Sequence, residues 1–306
     1  MAQTLERLTH RTQTMRSIRG IVSTMKTMSA INALPYEQAA QAIEAYQDTV
    51  LTGFHAFVHC HGPLPHDAGP AGAAIVIVFG SDHGLCGNYN EVVAVEAQRL
   101  AETGPAAQVI CVGAQMEDAL VGQGIMPVTT LLPPATADGL GRLAGRLITL
   151  LDGMRGAGSI TVSLVHMQRG DHGQQHPVAQ PLLPLDRALI EGLAQRPWAS
   201  RSLPQFRMPP DRLLAALIRS YLFARLFRSA AEAMVTENAA RLARMQQAEQ
   251  SIDDQLEALT SELRSVRQSE ITTELLDVII GFEALKRRKK RQPAADGPPA
   301  AKRPQG

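Results

Sequence analysis

The stretch that decides the fold is DRLLAALIRSYLFARLFRSAAEAMVTENAARLARMQQAEQSIDDQLEALTSELRSVRQSEITTELLDVII, residues 211–280. It contains neither glycine nor proline, and it is dominated by residue types that lose little side-chain freedom in a helix. At 1.5 Å per residue a single helix of this length would span about 105 Å, more than the diameter of a compact domain. The sequence therefore predicts a helix that leaves the globular body and needs a partner along its length.

Apolar residues within this stretch recur at alternating intervals of three and four, interrupted once by Glu249. They are Leu242, Met245, Ile252, Leu256, Leu259, Leu263 and Val266. This spacing is typical of a coiled-coil seam rather than of the broad apolar face of a core helix. A second helix with a similar seam is predicted over residues 3–34, at positions Leu8, Met15, Ile18, Val22, Met25 and Met28. One helix cannot bury a narrow seam alone, so we expect the two to form an intramolecular antiparallel pair.

Two features follow the N-terminal helix. Pro35 is predicted to kink or interrupt it, after which the pattern resumes loosely towards Phe57. The run HAFVHCHGPLPH, residues 55–66, places His55 and His59 four residues apart, as metal ligands on a helix can be. No second ligand pair at this spacing follows, so we predict exposed imidazoles at a helix end, a Pro/Gly-rich linker and no metal site.

Between residues 73 and 196 the pattern changes to alternating strands and helices. Strands are predicted at 74–79, 109–112 and 159–167, helices at 91–102, 115–121 and 137–154, and a polar, turn-rich segment at 168–184. Apolar, β-branched runs of this kind are typical of strands buried on both faces, and the alternation predicts a small Rossmann-like α/β domain with a largely parallel sheet. The predicted parts are an N-terminal coiled-coil helix (1–58), the α/β domain (73–196), a C-terminal coiled-coil helix (211–288) and a disordered basic, proline-rich tail (289–306).

Charge and cysteine content limit the class of protein. Residues 286–306 carry eight Lys/Arg and one Asp, although the whole chain has a net charge of only +1. Such a tail could bind nucleic acid or anionic lipid, but it lacks the aromatic residues that stack on bases, so no nucleic-acid partner is predicted. The three cysteines form no pairing pattern, which indicates reduced thiols in a cytoplasmic protein. Neither a signal peptide nor a membrane-spanning run is recognised.

The glycine-rich loop GSDHGLCGNYN, residues 80–90, is where a phosphate or nucleophile site would be expected. Its glycine spacing matches neither nucleotide-binding pattern and it has no lysine, so we predict no cofactor. His83 and Cys86 could be a base and a nucleophile, but no third group is placed to orient the histidine. The simpler interpretation is structural: Gly84 and Gly87 supply tight-turn dihedral angles and Cys86 fills a small apolar gap.

Three separated segments resemble the γ subunit of F-type ATP synthases. They are IRGIVSTMKTMSA (18–30), SDHGLCG (81–87, with His83 in place of the family's usual arginine) and RQSEITTEL (267–275). TENAARL (236–242) and PLLPL (181–185) add to the resemblance, which extends from about residue 3 to residue 288 in the order and spacing of the family.

This resemblance implies a rotating, non-catalytic central stalk without a cofactor, which couples ion flow through the membrane sector to ATP synthesis or hydrolysis at the β subunits. The implied partners are the ring of α and β subunits, the ε subunit and the membrane-embedded c-ring. The implied location is peripheral, on the cytoplasmic face of the inner (plasma) membrane of a bacterium.

The resemblance also implies roles for individual residues. Polar contacts to β-subunit loops are expected from Arg267, Gln268, Thr272 and Glu274, with Met25 and Lys26 close to them on the facing helix. An apolar tip turning in the collar of the ring is expected from Ile279, Ile280, Phe282 and Leu285.

Two further interpretations remain open, one from departures from the family pattern and one from the heptads alone. Pro35, the segment 250–254 and the basic tail differ from the usual family sequence and suggest a divergent or alternate-operon variant, with a coupling ion other than the proton as a hypothesis. The heptads alone would also permit a coiled-coil adaptor with an α/β head and a basic tail that binds membrane or nucleic acid. Such an adaptor would not explain why the 81–87 loop and the 267–275 segment occur together.

Overall fold

The structure is a computed structural model that describes residues 2–62, 64, 73–102, 107–155, 160–170 and 173–291. The chain forms two compact units: a terminal unit, Met1–Ile21 with Glu249–Gly306, and a central unit, Val22–Ala248. Two long helices contribute to both units, α1 (Ala2–His61) and α6 (Pro210–Arg291). The predicted tail from residue 292 onward and most of the predicted linker lie outside the described residues.

The central unit contains a five-stranded sheet. Its elements in chain order are β1 (Ala74–Phe79), α2 (Tyr89–Glu102), β2 (Ala107–Val112), α3 (Ala114–Gly122), β3 (Thr129–Leu131), a 3₁₀ turn (Ala137–Gly139), α4 (Leu140–Met154), β4 (Thr161–Arg169), β5 (Gln175–Leu183) and α5 (Arg187–Gln195). The strand order is β3-β2-β1-β4-β5, parallel except for the antiparallel β4–β5 pair. The predicted α/β fold with a largely parallel sheet is confirmed.

The sheet is covered on both faces because successive side chains of a strand point to opposite sides. Ile75, Ile77 and Phe79 of β1 belong to a core formed with α4 and with the central-unit parts of α1 and α6. Val76 and Val78 belong to the other core, formed with α2 and α3. The continuous apolar run of β1 therefore reflects burial on two faces, as expected for a central parallel strand.

Three elements were missing from the sequence-based prediction. The segment 168–184, predicted to be turn-rich, contains β5, which is the end strand of the sheet. Pro177 and Pro181 indicated turns rather than a strand in the sequence. An end strand tolerates proline, however, because its outer N–H groups need no ladder partner. β3 is only three residues long and α5 only nine, too short for a clear periodic signal.

The prediction that Pro35 interrupts the N-terminal helix was wrong, since α1 is helical from Ala2 to His61. Proline removes one intrahelical hydrogen bond, and the tertiary contacts beside it offset that loss. Tyr36 is buried, and its hydroxyl donates to the carbonyl oxygen of Pro134 at 2.9 Å. Ala40 and Ile43 continue the buried face along the next two turns.

The long helices pair in an antiparallel sense in the central unit, where Phe54 packs against Tyr221 and Glu44 forms an ion pair with Arg228. In the terminal unit Arg19 pairs with Asp253. The predicted α6 seam is confirmed by the burial of Met245, Ile252 and Leu259. Two seam positions predicted on α1 were wrong: Ile18 is 40% exposed, and Met28 is 56% exposed, with the neighbouring Ser29 buried in its place.

Candidate subunit-contact surfaces

The polar residues predicted to contact other subunits lie on the exposed surface of α6 within the terminal unit. Arg267, Gln268, Thr272 and Glu274 are all exposed. The Thr272 hydroxyl donates to the carbonyl oxygen of Gln268 at 2.9 Å, a bond within the helix. Within the described part of the chain, neither Arg267 nor Glu274 forms an ion pair, so both charges face solvent and can be offered to a partner.

The predicted apolar tip is also exposed. Ile279, Ile280, Phe282 and Leu285 are each more than half exposed, and every residue from 274 to 287 is in the exposed class. Four further large apolar residues of the same helix are at least half exposed: Ile271, Leu275, Leu276 and Val278. So many exposed large apolar side chains on one segment are typical of an interaction site rather than of a free surface.

Met25 and Lys26 lie on α1, in the other unit. Both are half-buried and belong to the central unit, whereas Arg267 and Gln268 belong to the terminal unit. Their expected proximity to Arg267 stays a prediction.

The loop between β1 and α2 is attached to α6 by Arg241. The Arg241 guanidinium donates to the carbonyl oxygens of His83 (2.9 Å) and Gly84 (3.2 Å) and pairs with Glu237 at 2.6 Å. Both side chains of the Glu237–Arg241 pair are nearly buried. Burial raises the pKa of Glu237, and the charge and hydrogen bonds of Arg241 oppose that rise.

Gly87, Gly84 and Cys86 of this loop differ in backbone conformation and surroundings. Gly87 has a φ of 71°, in the left-handed region that favours glycine, and it lies against the Arg244 side chain. Gly84 has no such positive φ, and a Cβ atom added there would have no neighbour closer than 3.9 Å. The Cys86 sulfur is buried near the Ser81 hydroxyl and the backbone carbonyl of His83, while the His83 ring is exposed. Burial raises the pKa of the Cys86 thiol, which is the opposite of what a nucleophile needs.

Further contacts that sequence reasoning missed join the sheet to both long helices. Arg169, the last residue of β4, pairs with Glu37 of α1 at 2.6 Å and with Glu232 of α6 at 2.9 Å. These pairs raise the pKa of Arg169, led by the hydrogen bond to Glu232. The Tyr89 hydroxyl donates to the carbonyl oxygen of Ala233 at 3.0 Å. No local pattern could reveal these contacts, because their members come from four separate elements.

The histidine run at the end of α1 holds the segment that leads into α6. A ring nitrogen of His55 bonds the carbonyl oxygen of Arg196 at 2.9 Å, and the His55 and His59 rings lie 5.2 and 5.5 Å from Trp198. His61 packs on Phe206 at 5.2 Å. Across the described residues, no three His, Cys, Asp or Glu side chains come together in a group that could hold a metal ion. His66 lies outside those residues.

Comparisons with known proteins point to one family. A family model described as ATP synthase matches residues 4–285. A protein named ATP synthase gamma chain from Nitratidesulfovibrio vulgaris (strain Miyazaki F) is 29% identical over 220 residues, 69% of this chain and 73% of the relative. Another of that name, from Dinoroseobacter shibae, is 26% identical over 297 residues, 92% of this chain and 99% of the relative.

Solved structures share the fold at lower sequence identity. A chain of the Euglena gracilis mitochondrial ATP synthase, in a structure of its OSCP/F1/c-ring in rotational state 3, superposes with a TM-score of 0.64 at 16% identity. That alignment covers 97% of this chain and 99% of the other. A chain of the same enzyme's rotor in rotational state 1 gives a TM-score of 0.61 at 14% identity, with 89% and 100% covered.

Proposed function

This chain belongs to the ATP synthase family, as a γ chain, and on that basis we propose which of its surfaces contact the other subunits when it acts as a rotating stalk. It is the non-catalytic central-stalk subunit of an F-type ATP synthase, which couples ion flow through the membrane sector to ATP synthesis or hydrolysis. The observation that carries the proposal is the exposed end of α6, where polar and apolar side chains have no covering in the described part of the terminal unit.

The apolar tip is suited to turning inside a sleeve formed by the α and β subunits. The hydrophobic effect is non-directional, so Ile279, Ile280, Phe282 and Leu285 can remain covered at every rotational angle without breaking fixed bonds. Arg267, Gln268, Thr272 and Glu274 make directional contacts instead. They therefore engage one β subunit at a time, and each β subunit is biased towards a different nucleotide affinity as the stalk turns.

The central unit is suited to passing torque to the long helices. Arg169 links the end of β4 to both α1 and α6, and Arg241 links the β1–α2 loop to α6. We propose that the central unit contacts the c-ring and the ε subunit, so that these links carry their rotation into α6. Within the described residues no helix combines the length and apolar character needed to cross a bilayer. The proposed position is peripheral, at the cytoplasmic face of a bacterial membrane.

The test is reconstitution with cognate α and β subunits, followed by gel filtration and an ATPase assay. Turnover should require this chain, and replacing both Arg267 and Gln268 by alanine should lower it about ten-fold or more, since a hydrogen bond to a charged group contributes about 1.5–3 kcal/mol. Arg146→Ala, an exposed arginine of α4, is the matched control and should leave turnover unchanged. A chain that elutes alone and leaves α/β turnover unaltered would contradict the proposal.

A further inference from the structure

The last part of α6 presents an uncovered surface that we name the tip face, residues 270–285. Every side chain from residue 274 to residue 287 is in the exposed class, including the large apolar Ile279, Ile280 and Phe282. So many exposed apolar side chains on one segment are typical of a surface that another chain covers. The proposed function covers the tip face only in the assembled ring, so before assembly these side chains need a different partner.

The tip face carries negative charge only. Its four titratable side chains are Glu270, Glu274, Asp277 and Glu283, and no Lys, Arg or His occurs from residue 268 to residue 285. Glu270, Glu274 and Asp277 are spaced by four and three residues, so they lie in one row along one side of the helix. In the described part of the chain, Glu274 and Asp277 form no ion pair. The partner of the tip face should therefore be basic.

The chain itself supplies a basic segment directly after the tip face. Residues 286–306 carry eight Lys/Arg and one Asp, in two groups: KRRKKR at 286–291 and KR at 302–303. The first group continues α6, which is helical to Arg291. The ten residues between the groups, QPAADGPPAA, are small and proline-rich and include a glycine. This composition predicts a chain reversal and an extended run rather than a continued helix.

The length of this spacer decides where on α6 the second basic group can lie. From Arg291 back to Glu274 the helix covers about 25 Å, at 1.5 Å per residue. Lys302 is eleven positions beyond Arg291, and an extended proline-rich chain advances about 3.1 Å per residue. With about three residues in the reversal, the remaining eight cover about 25 Å. Lys302 and Arg303 then come level with Glu274 and Asp277.

We propose that, before the ring encloses it, the tip face is covered by the chain's own C-terminal segment, residues 292–306. Lys302 and Arg303 pair with Glu274 and Asp277, and the proline and alanine side chains of the spacer lie on the apolar residues of the tip face. The inference rests on the proposed function for one point, that the α and β subunits bind the same surface. The segment and the ring then compete for α6, and the segment leaves as the complex assembles.

Charge and tethering favour this occupant over the other partners that a basic segment attracts. Anionic lipid or nucleic acid would bring more negative charge close to the acidic row of α6, and like charges repel. The segment carries the opposite charge and is attached at the end of the tip face, which raises its effective concentration there. Exposed ion pairs are weak and are screened by salt, so the contact can give way to the larger interface of the ring.

The test uses the full chain alone at about 0.01 M ionic strength, where the Debye length is about 30 Å. A carbodiimide joins a lysine amine to a carboxylate in direct contact, and mass spectrometry of the digested chain identifies the linked residues. Lys302 is the single lysine after residue 290, so its links are unambiguous. Links from Lys302 to Glu274 or Asp277 are expected. A mixture of ¹⁵N-labelled and unlabelled chain distinguishes links within one chain from links between two.

The reach of the segment provides an internal control. Fully extended, at about 3.6 Å per residue, the eleven positions beyond Arg291 span about 40 Å, which ends near residue 265 of α6. Asp253, Asp254 and Glu257 lie beyond that limit. They should form no link with Lys302 of the same chain, so links at these positions would report nonspecific contact.

Substitutions and salt make the result quantitative. Arg303→Gln should lower the yield of links from Lys302 to Glu274 and Asp277 about two- to five-fold, since one exposed ion pair is removed. Arg146→Gln on α4 is the matched control and should leave the yield unchanged. Raising the ionic strength to about 1 M, where the Debye length is about 3 Å, should abolish the links. Addition of α and β subunits should abolish them as well.

The inference is overturned if Lys302 forms no link to Glu274 or Asp277 in the chain alone, if those links join two chains, or if they persist in the assembled complex. A segment that forms no such link but carries the chain onto anionic vesicles or nucleic acid would overturn it in favour of those partners. Each of these results leaves the proposed function intact, because its own test is turnover that requires this chain. Turnover independent of the chain, with the links still formed, would contradict the proposed function instead.

Discussion

Removal of the Arg241 guanidinium tests how the β1–α2 loop is attached to α6. The change is Arg241→Ala, which deletes two hydrogen bonds to loop carbonyls and leaves Glu237 without its charge partner. The exposed fractions of the two side chains are 11% for Arg241 and 5% for Glu237, so water cannot replace the lost partner without local opening. The carboxylate oxygen Oε2 of Glu237 already has no hydrogen-bond partner among the described residues.

The expected loss follows from that burial. Breaking a buried ion pair by removing one partner costs about 3–5 kcal/mol, because an uncompensated charge remains. With a urea dependence of about 2–3 kcal/mol per molar, the unfolding midpoint should fall by roughly 1–2 M. Adding Glu237→Gln to Arg241→Ala removes the unpaired charge itself, so it should restore most of the lost urea midpoint.

The loss of stability in Arg241→Ala should also depend on pH, in a direction set by Glu237. Its pKa is raised in the folded state, so between the unfolded and folded pKa values the folded state binds more protons than the unfolded state. Stability therefore falls as pH rises through this window. Without Arg241, the charge and hydrogen bonds that lower the Glu237 pKa are gone, so the pH window between the unfolded and folded pKa values extends upward. The stability lost by Arg241→Ala should therefore shrink as pH falls towards the ordinary carboxylate range.

The assay is urea unfolding followed by far-UV circular dichroism at several pH values, with the unchanged chain and Arg146→Ala as controls. An Arg241→Ala chain that unfolds at the same urea concentration as the unchanged chain would refute the reasoning. So would an added Glu237→Gln change that recovers nothing, because the cost would then not come from an unpaired carboxylate.

Three other changes give independent tests. Gly87→Ala should lower the free energy of unfolding by about 1–2 kcal/mol, because alanine is strained at a φ of 71°. Gly145→Ala, in the open middle of α4, should instead raise it by about 0.5–1 kcal/mol. Equal effects of the two changes in thermal unfolding would refute the backbone argument. Phe282→Ser should change unfolding by no more than about 0.5 kcal/mol yet weaken assembly with α and β subunits in gel filtration, and normal assembly would count against the apolar tip. Cys86→Ser should leave ATPase turnover of the reconstituted complex unchanged, with or without dithiothreitol; lost turnover would mean that the thiol takes part in chemistry.

The helices and main strands could be predicted from the sequence because their signals are local. The glycine- and proline-free stretch fixes α6, the spacing of Met245, Ile252 and Leu259 fixes its buried seam, and the apolar run at 74–79 fixes a central strand. The segments at 81–87 and 267–275 also pointed to the family, since their residue order needs no three-dimensional information to be recognised. The contact roles assigned to Arg267 and its neighbours remain predictions.

Only the tertiary structure decided which distant residues meet. Arg169 reaches Glu37 and Glu232 because strand order and helix register bring three separate elements together. Neither strand order nor helix register can be read from the local spacing of residues. The same applies to Pro35, whose lost hydrogen bond is outweighed by the packing of its neighbour, and to His55, whose partner lies on a segment far along the chain. Periodicity determines which face of an element is apolar, whereas register and packing free energy determine what covers that face.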